Sequence, residues 1–140
     1  MQLGLIGLGR MGGNMNVRLL GGGHEMVVYN LTPEPIEAAA AAGAMPSYSV
    51  ADLVSKLTAP RAIWIMIPAG EPTEKTVTEL MELLQPGDTI IDGGNSNYKD
   101  TLRRAKMVQA SGMHYVDVGT SGGIWGLQEG YSLMVGGQTE

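Results

Sequence analysis

The sequence contains no cysteine and no phenylalanine, and only 5% of its 140 residues are aromatic. The absence of cysteine excludes disulfides, thiolate metal sites and cysteine nucleophiles, and it is compatible with a reducing compartment. Basic residues are also scarce, since nine Lys and Arg stand against 14 Asp and Glu, which gives a formal charge of −5. Because nucleic-acid binding generally requires a basic patch, we expect neither DNA nor RNA as a partner.

Long hydrophobic runs are absent as well. No stretch reaches the roughly 20 apolar residues that a helix needs to cross a bilayer. The N-terminus also lacks the basic region and apolar run of a signal peptide. We therefore expect a cytoplasmic protein with no membrane partner. The sequence has instead a 44% apolar composition, which is typical of one globular domain of this length.

Short apolar runs alternate with stretches of helical periodicity along the chain. This alternation is typical of a parallel sheet covered by helices on both faces, and it predicts an α/β fold of the Rossmann type, doubly wound around a mainly parallel sheet. The predicted strands are Leu3–Gly7, Met26–Asn30, Ala62–Ile67, Thr89–Asp92 and Tyr115–Val118, with weaker or terminal ones at Ala44–Pro46 and Tyr131–Val135. The predicted helices are Met11–Leu20, Thr73–Leu84 and Lys99–Ser111, with helix-forming sequence also at Ala38–Ala42.

A glycine-rich motif lies between the first predicted strand and the first predicted helix: Gly7-Leu8-Gly9-Arg10-Met11-Gly12. GxGxxG alone is a weak signal, but inside a strand–helix–strand unit it is typical of a dinucleotide-binding turn. Gly7 would permit the tight turn, Gly9 would let a pyrophosphate approach the backbone, and Gly12 would let helix and strand pack closely. The pyrophosphate would then lie at the positive end of the helix. The alternative, a glycine-rich connection without a ligand, does not explain the spacing of the three glycines.

Asn30-Leu31-Thr32 follows the second predicted strand, where the residue type usually selects the cofactor. An acidic residue there binds the ribose 2′-hydroxyl of NAD, whereas an Arg accommodates the 2′-phosphate of NADP. Asn30 can hydrogen-bond to either form and Leu31 brings no charge, so NAD and NADP both stay open, with NAD slightly favoured. Arg10 is the one cation in the glycine-rich loop that could compensate; the alternative is a solvated side chain.

Three further loops follow predicted strands, and in a doubly wound sheet ligands bind outside the carboxyl ends of the strands. The loops are Ile67-Pro68-Ala69-Gly70, Gly93-Gly94-Asn95-Ser96 and Gly119-Thr120-Ser121-Gly122-Gly123. We assign Ile67, Pro68 and Ala69 to the cofactor. Asn95 offers donors and an acceptor and Ser121 a hydroxyl, so they can orient a hydroxy acid without adding charge. The alternative for Gly93-Gly94 is a simple turn, with Ser96 as a helix cap. The alternative for Ser121-Gly122-Gly123 is an ordinary loop.

At these loops the sequence resembles the decarboxylating 6-phosphogluconate dehydrogenases, in particular their shorter form. The resemblance covers the whole chain and is most specific in IIDGGNSNYKDTLRR and VDVGTSGGIWGLQEGYSLMVGG. The glycine-rich motif belongs to the wider superfamily of β-hydroxyacid dehydrogenases. The resemblance implies that Asn95 contacts both cofactor and substrate, and that Ser121, Gly122 and Gly123 hold the sugar acid.

The activity that the resemblance implies is oxidation of 6-phosphogluconate at its third carbon, loss of carbon dioxide and formation of ribulose 5-phosphate. In the family, a lysine and a glutamate on helices after the nucleotide-binding domain move the protons, and both would lie beyond Glu140. We therefore expect 1–140 to be one NAD(P)-binding domain, truncated at its C-terminal end, with no catalytic residue of its own. His24 and His114 precede strands, away from the expected site. The absent helical region makes most subunit contacts in the family, which implies a homo-oligomer.

Two positions depart from the longer members of the family. Leu31 replaces an Arg after the second strand, and Ile124 with Trp125 stands where an acidic residue follows the substrate loop. Neither NADP preference nor the acidic contact therefore carries over. Two other functions stay open: a hydroxyacid dehydrogenase such as one acting on 3-hydroxyisobutyrate, and a non-catalytic NAD(P)-binding module.

Overall fold

The computed structural model describes residues 1–68, 70–94, 98–121 and 132–137. Their strands are β1 Gln2–Ile6, β2 Glu25–Tyr29, β3 Met45–Pro46, β4 Ala62–Ile65, β5 Thr89–Asp92, β6 His114–Ser121 and β7 Ser132–Gly137. Their helices are α1 Arg10–Gly21, α2 Pro33–Ala41, α3 Val50–Ser55, α4 Glu71–Leu83 and α5 Tyr98–Ala110. None of these helices is long and apolar enough to span a membrane. The predicted strands and helices are present, with most of their ends displaced by a few residues.

All of these strands join one sheet in the order β3-β2-β1-β4-β5-β6-β7. The first six run parallel, and β7 runs antiparallel to β6 at the edge. The strand order reverses between β1 and β4, which leaves a crevice at their carboxyl ends. This is the doubly wound order of a Rossmann fold, and it confirms the predicted fold class.

Two apolar cores lie on opposite faces of the sheet because side chains alternate along each strand. In β2, Met26 and Val28 pack with Ile36 of α2 in one core, whereas Val27 packs with Leu53 of α3 in the other. The first core lies under α1 and α2, and the second lies under α3, α4 and α5. Described helices thus pack on both faces of the sheet, although on the first face Trp64 of β4 and Ile91 of β5 stay only partly buried.

Helices α2 and α3 lie where the sequence pattern predicted only a short helix-forming run or no helix at all. The Ser49 hydroxyl accepts a hydrogen bond from the Asp52 N–H (2.9 Å), and the Asp52 carboxylate accepts one from the Tyr48 N–H (3.1 Å). This exchange is a variant of the capping box and starts α3. Helix α2 begins differently: Thr32 is its N-cap residue but makes no side-chain capping hydrogen bond, and Pro33 occupies the first turn. Both start signals are legible in the sequence, but helices of six and nine residues are too short to show periodicity.

The amino ends of the parallel strands form the edge of the sheet opposite the crevice, here called the amino edge. At this edge the buried Asp88 carboxylate connects the segments that precede β4 and β5. It accepts hydrogen bonds from the N–H groups of Arg61 (2.6 Å) and Gln85 (2.9 Å), and it pairs with the Arg61 guanidinium (3.1 Å). Burial raises the pKa of Asp88, but these interactions outweigh it and leave the pKa below its ordinary value. His24 and His114 lie at the same edge, before β2 and at the start of β6. The structure thus places both histidines away from the crevice, as the sequence predicted.

The turn between β1 and α1 depends on two glycines that have no room for a side chain. Gly7 has φ +101°, and a Cβ atom there would overlap the backbone carbonyl of Met66. A Cβ atom on Gly12 would overlap the carbonyl oxygen of Gly7. Helix α1 consequently starts directly above the end of β1, and any side chain at Gly12 would push the two apart.

We expect Gly12→Ala to destabilise the protein by about 1–3 kcal/mol, the usual cost of forcing an extra carbon into a packed region. Gly13→Ala is the matched control, because a Cβ atom there would meet only the Leu8 carbonyl at 3.5 Å. That control should gain about 0.5–1 kcal/mol, since alanine favours a helix interior over glycine. Urea unfolding followed by circular dichroism measures both values, and equal effects of the two substitutions would contradict this account of the turn.

Candidate functional site

The N-terminus of α1 opens into the crevice between β1 and β4. The residue before the helix is Gly9, and apart from its chain neighbours no described residue has a heavy atom within 4 Å of where a Cβ atom would lie. Within the described part of the chain, no side chain caps this helix end, and its first turn carries no acidic residue. Arg10, the first helical residue, is exposed. An uncapped helix N-terminus without a carboxylate suits an anionic phosphate, so these residues fit the diphosphate of a dinucleotide.

The Asn30 side chain joins the glycine-rich loop to the end of β2. Its amide oxygen accepts a hydrogen bond from the Leu8 N–H (2.8 Å). Its amide nitrogen donates to the Thr32 carbonyl (3.3 Å) and to the Thr32 hydroxyl (3.0 Å). Next to it, the Leu31 side chain is 89% exposed. Sequence reasoning assigned Asn30 only to the cofactor; the structure shows that it also holds two loops of the site together.

The loop after β4 lies beside the glycine-rich loop. The Met66 N–H donates to the last carbonyl of β1 (2.7 Å), and the Met66 carbonyl lies against Gly7. Farther along, the buried Thr73 hydroxyl donates to the Pro68 carbonyl (2.8 Å). The backbone of this loop is thus held from two sides. Ala69, which the sequence assigned to the cofactor, lies outside the described residues.

The loop after β5 packs against the loop after β4. The Gly93 N–H donates to the Ile65 carbonyl (2.8 Å), which continues the pairing of the two strands. A Cβ atom on Gly94 would overlap the carbonyl oxygen of Ile67, so the two backbones are in direct contact. The structure therefore brings Ile67 and Gly94 together at the crevice, next to the glycine-rich loop.

A buried carboxylate, that of Asp92, organises the start of the loop after β5. It accepts hydrogen bonds from the Gly94 N–H (3.0 Å) and the Tyr115 hydroxyl (3.0 Å), and the Arg104 guanidinium lies 3.6 Å away. Burial raises the pKa of Tyr115, and the Asp92 charge raises it further, so the phenol stays protonated and donates. Burial and the same charge also raise the pKa of Asp117, which pairs with Asp92 in the sheet.

Arg104 projects from α5 toward the Asp92 carboxylate and is 1% exposed. Its Nε donates to the Glu74 carboxylate (2.9 Å), and its Nη2 donates to the Gly70 carbonyl (3.2 Å). Arg103 binds the same Glu74 through two nitrogens (2.8 and 3.0 Å). Hydrogen bonds from Arg103 and Arg104 together lower the pKa of Glu74 to about 2, so its carboxylate is ionised at neutral pH.

Sequence reasoning missed Arg104, Glu74 and Tyr115. The available signal was helical periodicity, because Arg104 lies one turn before the buried Val108 on α5. A charged residue at such a position is almost never fully buried unless it has partners. The partners lie on other elements, however, and their identity requires the fold.

The substrate residues that the sequence predicted lie mostly beyond the described part of the chain. Ser121 is the last residue of β6 and pairs with Ser132 at the carboxyl edge of the sheet. The positions singled out in the sequence that fall outside the described residues include Ala69, Asn95, Ser96, Gly122, Gly123, Ile124, Trp125 and Glu140. The placement of the proton-transfer groups beyond Glu140 therefore stays a prediction. Among the described residues, no cluster of three or more acidic or histidine side chains could hold a metal ion.

Comparisons with known proteins agree with this arrangement. A family model described as the NAD binding domain of 6-phosphogluconate dehydrogenase matches residues 2–140. The NAD(+)-dependent, decarboxylating 6-phosphogluconate dehydrogenase of Haloferax volcanii is 49% identical over 98% of this chain and 45% of its own length. The decarboxylating enzyme of Synechococcus elongatus is 45% identical over 97% of this chain and 30% of its own length. The chain thus spans less than half the length of either relative.

Solved structures give the same result at the level of the fold. Plasmodium falciparum 6-phosphogluconate dehydrogenase aligns with a TM-score of 0.90 and 32% identity, over 99% of this chain and 31% of that one. Mycobacterium tuberculosis 3-hydroxyisobutyrate dehydrogenase also reaches a TM-score of 0.90, at 27% identity and over 47% of its length. The shared fold extends to both enzymes, whereas the family model and the higher identities confirm the predicted resemblance: the chain belongs to the family of the NAD-binding domain of 6-phosphogluconate dehydrogenase.

Proposed function

We propose that these residues bind NAD or NADP for an enzyme that oxidises and decarboxylates 6-phosphogluconate to ribulose 5-phosphate. The observation that carries the proposal is the uncapped N-terminus of α1 at the crevice where the strand order reverses, with open space at Gly9. Such a helix end binds the diphosphate of a dinucleotide. Relatives named for this activity, at 45–49% identity, support the choice of reaction.

The dinucleotide would lie across the crevice, with one mononucleotide on each half of the sheet. The diphosphate would rest on the first-turn N–H groups of α1. The adenosine half would lie toward the end of β2, near Leu31 and Thr32. The nicotinamide half would lie over the loops after β4 and β5, near Ile67 and Gly94. When bound, the cofactor would supply the hydride acceptor for oxidation of the substrate hydroxyl group.

The sugar acid would bind on the β5 and β6 side of the crevice. The resemblance assigns it to Asn95, Ser121, Gly122 and Gly123, and the position of Ser121 at the carboxyl edge supports that side. Proton-transfer groups would come from beyond Glu140, in the part of the enzyme that the longer relatives have and these 140 residues do not match. The enzyme would act in the cytoplasm as a homo-oligomer.

NAD is the cofactor that we expect to be used at least as well as NADP. The supporting observation is Leu31, whose exposed side chain brings no positive charge to the end of β2. An NADP 2′-phosphate would therefore lack a charged partner at this position. Asn30 uses its amide within the protein and adds no charge.

We expect Gly9→Ala to weaken NAD binding by tenfold or more, because the added methyl group would occupy the open space that we assign to the diphosphate. The free energy of unfolding should change by no more than about 1 kcal/mol, the usual effect of a substitution at a helix cap. Gly13→Ala is the matched control and should retain the affinity. Calorimetric titration with NAD measures each variant, and unchanged binding by Gly9→Ala would contradict the assignment of the diphosphate.

We expect Leu31→Arg to shift the preference toward NADP by about 10- to 100-fold, since a charge-assisted hydrogen bond contributes about 1.5–3 kcal/mol. Leu31→Gln has a similar length without charge and should produce little shift. Dissociation constants for both cofactors decide the matter. A strong NADP preference in the unmodified protein would show that Arg10 or another cation binds the 2′-phosphate.

The reaction itself can be tested in a chimera in which these residues replace the matching part of the Haloferax volcanii relative. We expect the chimera to release one carbon dioxide for each reduced cofactor formed from 6-phosphogluconate. The 140 residues alone should bind cofactor but form no product. The proposed substrate would be contradicted by a chimera that binds NAD but oxidises 3-hydroxyisobutyrate as fast as 6-phosphogluconate. It would also be contradicted if 6-phosphogluconate gave no carbon dioxide. Turnover by the 140 residues alone would place the proton-transfer groups within them.

A further inference from the structure

One buried guanidinium, that of Arg104, connects the two loops that flank the proposed nicotinamide half. Its Nη2 donates to the Gly70 carbonyl in the loop after β4 (3.2 Å). Its Nη1 lies 3.6 Å from the Asp92 carboxylate, which in turn accepts the Gly94 N–H of the loop after β5. A single side chain on α5 is thus in contact with the end of one loop and with the acceptor that orients the other.

The two loops also contact each other directly. Gly94 lies so close to the Ile67 carbonyl that a Cβ atom would not fit between them. A displacement of Asp92 would therefore move Gly94 against Ile67. A displacement of Gly70 would move the loop after β4, which contains Ile67, from its C-terminal end. The guanidinium consequently determines the relative position of two backbone segments that face the crevice.

We propose that Arg104 is a positioning residue: it sets the spacing of the loops after β4 and β5 and thereby the affinity for the nicotinamide half of the dinucleotide. The proposal rests on the proposed dinucleotide function of this edge. Burial of a charged group is costly and adds little net stability even when the group is paired. The planar fork of arginine can reach acceptors on several elements at once, which the single ammonium of lysine cannot do with the same geometry.

Arg103 provides a matched control on the same helix. It binds the same Glu74 carboxylate, but its side chain is 54% exposed, and its hydrogen bonds go to Glu74 and Asp100 rather than to either loop. Replacing Arg103 removes a Glu74 pair without removing the contacts to Gly70 and Asp92. Effects that appear with Arg104 and not with Arg103 therefore report on the loops.

The experiment compares NAD with ADP-ribose, which retains the adenosine, diphosphate and second ribose but lacks the nicotinamide ring. We expect Arg104→Gln to weaken NAD binding by about tenfold, the scale of one lost charge-assisted hydrogen bond. Its affinity for ADP-ribose should stay within about twofold, as for a distant site. Arg104→Lys should recover part of the NAD affinity, and Arg103→Gln should leave both ligands unaffected. Calorimetric titration of the 140-residue chain measures all of these values.

Equal loss of NAD and ADP-ribose affinity in Arg104→Gln would overturn the proposal, because it would show a structural role only. Unchanged NAD affinity would overturn it as well. If Arg104→Gln does not fold, Tyr115→Phe takes its place, since it removes only the hydroxyl that donates to Asp92; a smaller loss confined to NAD supports the proposal, and no such loss overturns it. Failure of the unmodified chain to bind either ligand would instead overturn the proposed function.

Discussion

The contact between Gly12 and the Gly7 carbonyl is the constraint on which the site depends. It leaves no room for a side chain and therefore fixes the start of α1 directly above the end of β1. The Met66 carbonyl lies on the other side of Gly7, so the loop after β4 is placed by the same turn. With the helix end and the neighbouring loop set by backbone contacts, the crevice has a shape that does not depend on long, mobile side chains.

The two edges of the sheet use buried charge differently. At the amino edge, Asp88 accepts hydrogen bonds from Arg61 and Gln85. These three residues lie in the segments that connect α3 to β4 and α4 to β5. At the carboxyl edge, Asp92 accepts from Gly94 and Tyr115 and lies next to the Arg104 guanidinium. Both carboxylates satisfy backbone N–H groups that would otherwise lack partners, which offsets the cost of burying them. Only the second set includes the loops that face the crevice.

The fold class followed from the alternation of apolar runs and helical periodicity, because every covered parallel strand must be apolar and every covering helix amphipathic. The glycine-rich turn was also predictable, since Gly7 and Gly12 have no substitutes at those contacts. Helix α3 was not predicted, because its start signal at Ser49 precedes only two turns. The role of Arg104 could not be predicted from spacing, because its partners Gly70, Glu74 and Asp92 come from the end of one strand and the start of another helix. The assignment of the substrate to Asn95, Ser121, Gly122 and Gly123 remains a prediction.

The motif GxGxxG contains glycines of two kinds, which differ in why a glycine is present. Gly7 and Gly12 are required by the turn itself, since backbone atoms occupy the space of a side chain. Around Gly9 the described residues leave open space, so no contact among them requires a glycine there. In a distant homologue, retention of Gly12 is therefore a mark of the strand-to-helix turn, whereas retention of Gly9 is a mark of what occupies the crevice. The middle glycine is the more informative letter when a sequence is searched for proteins that have kept the fold but lost the ligand.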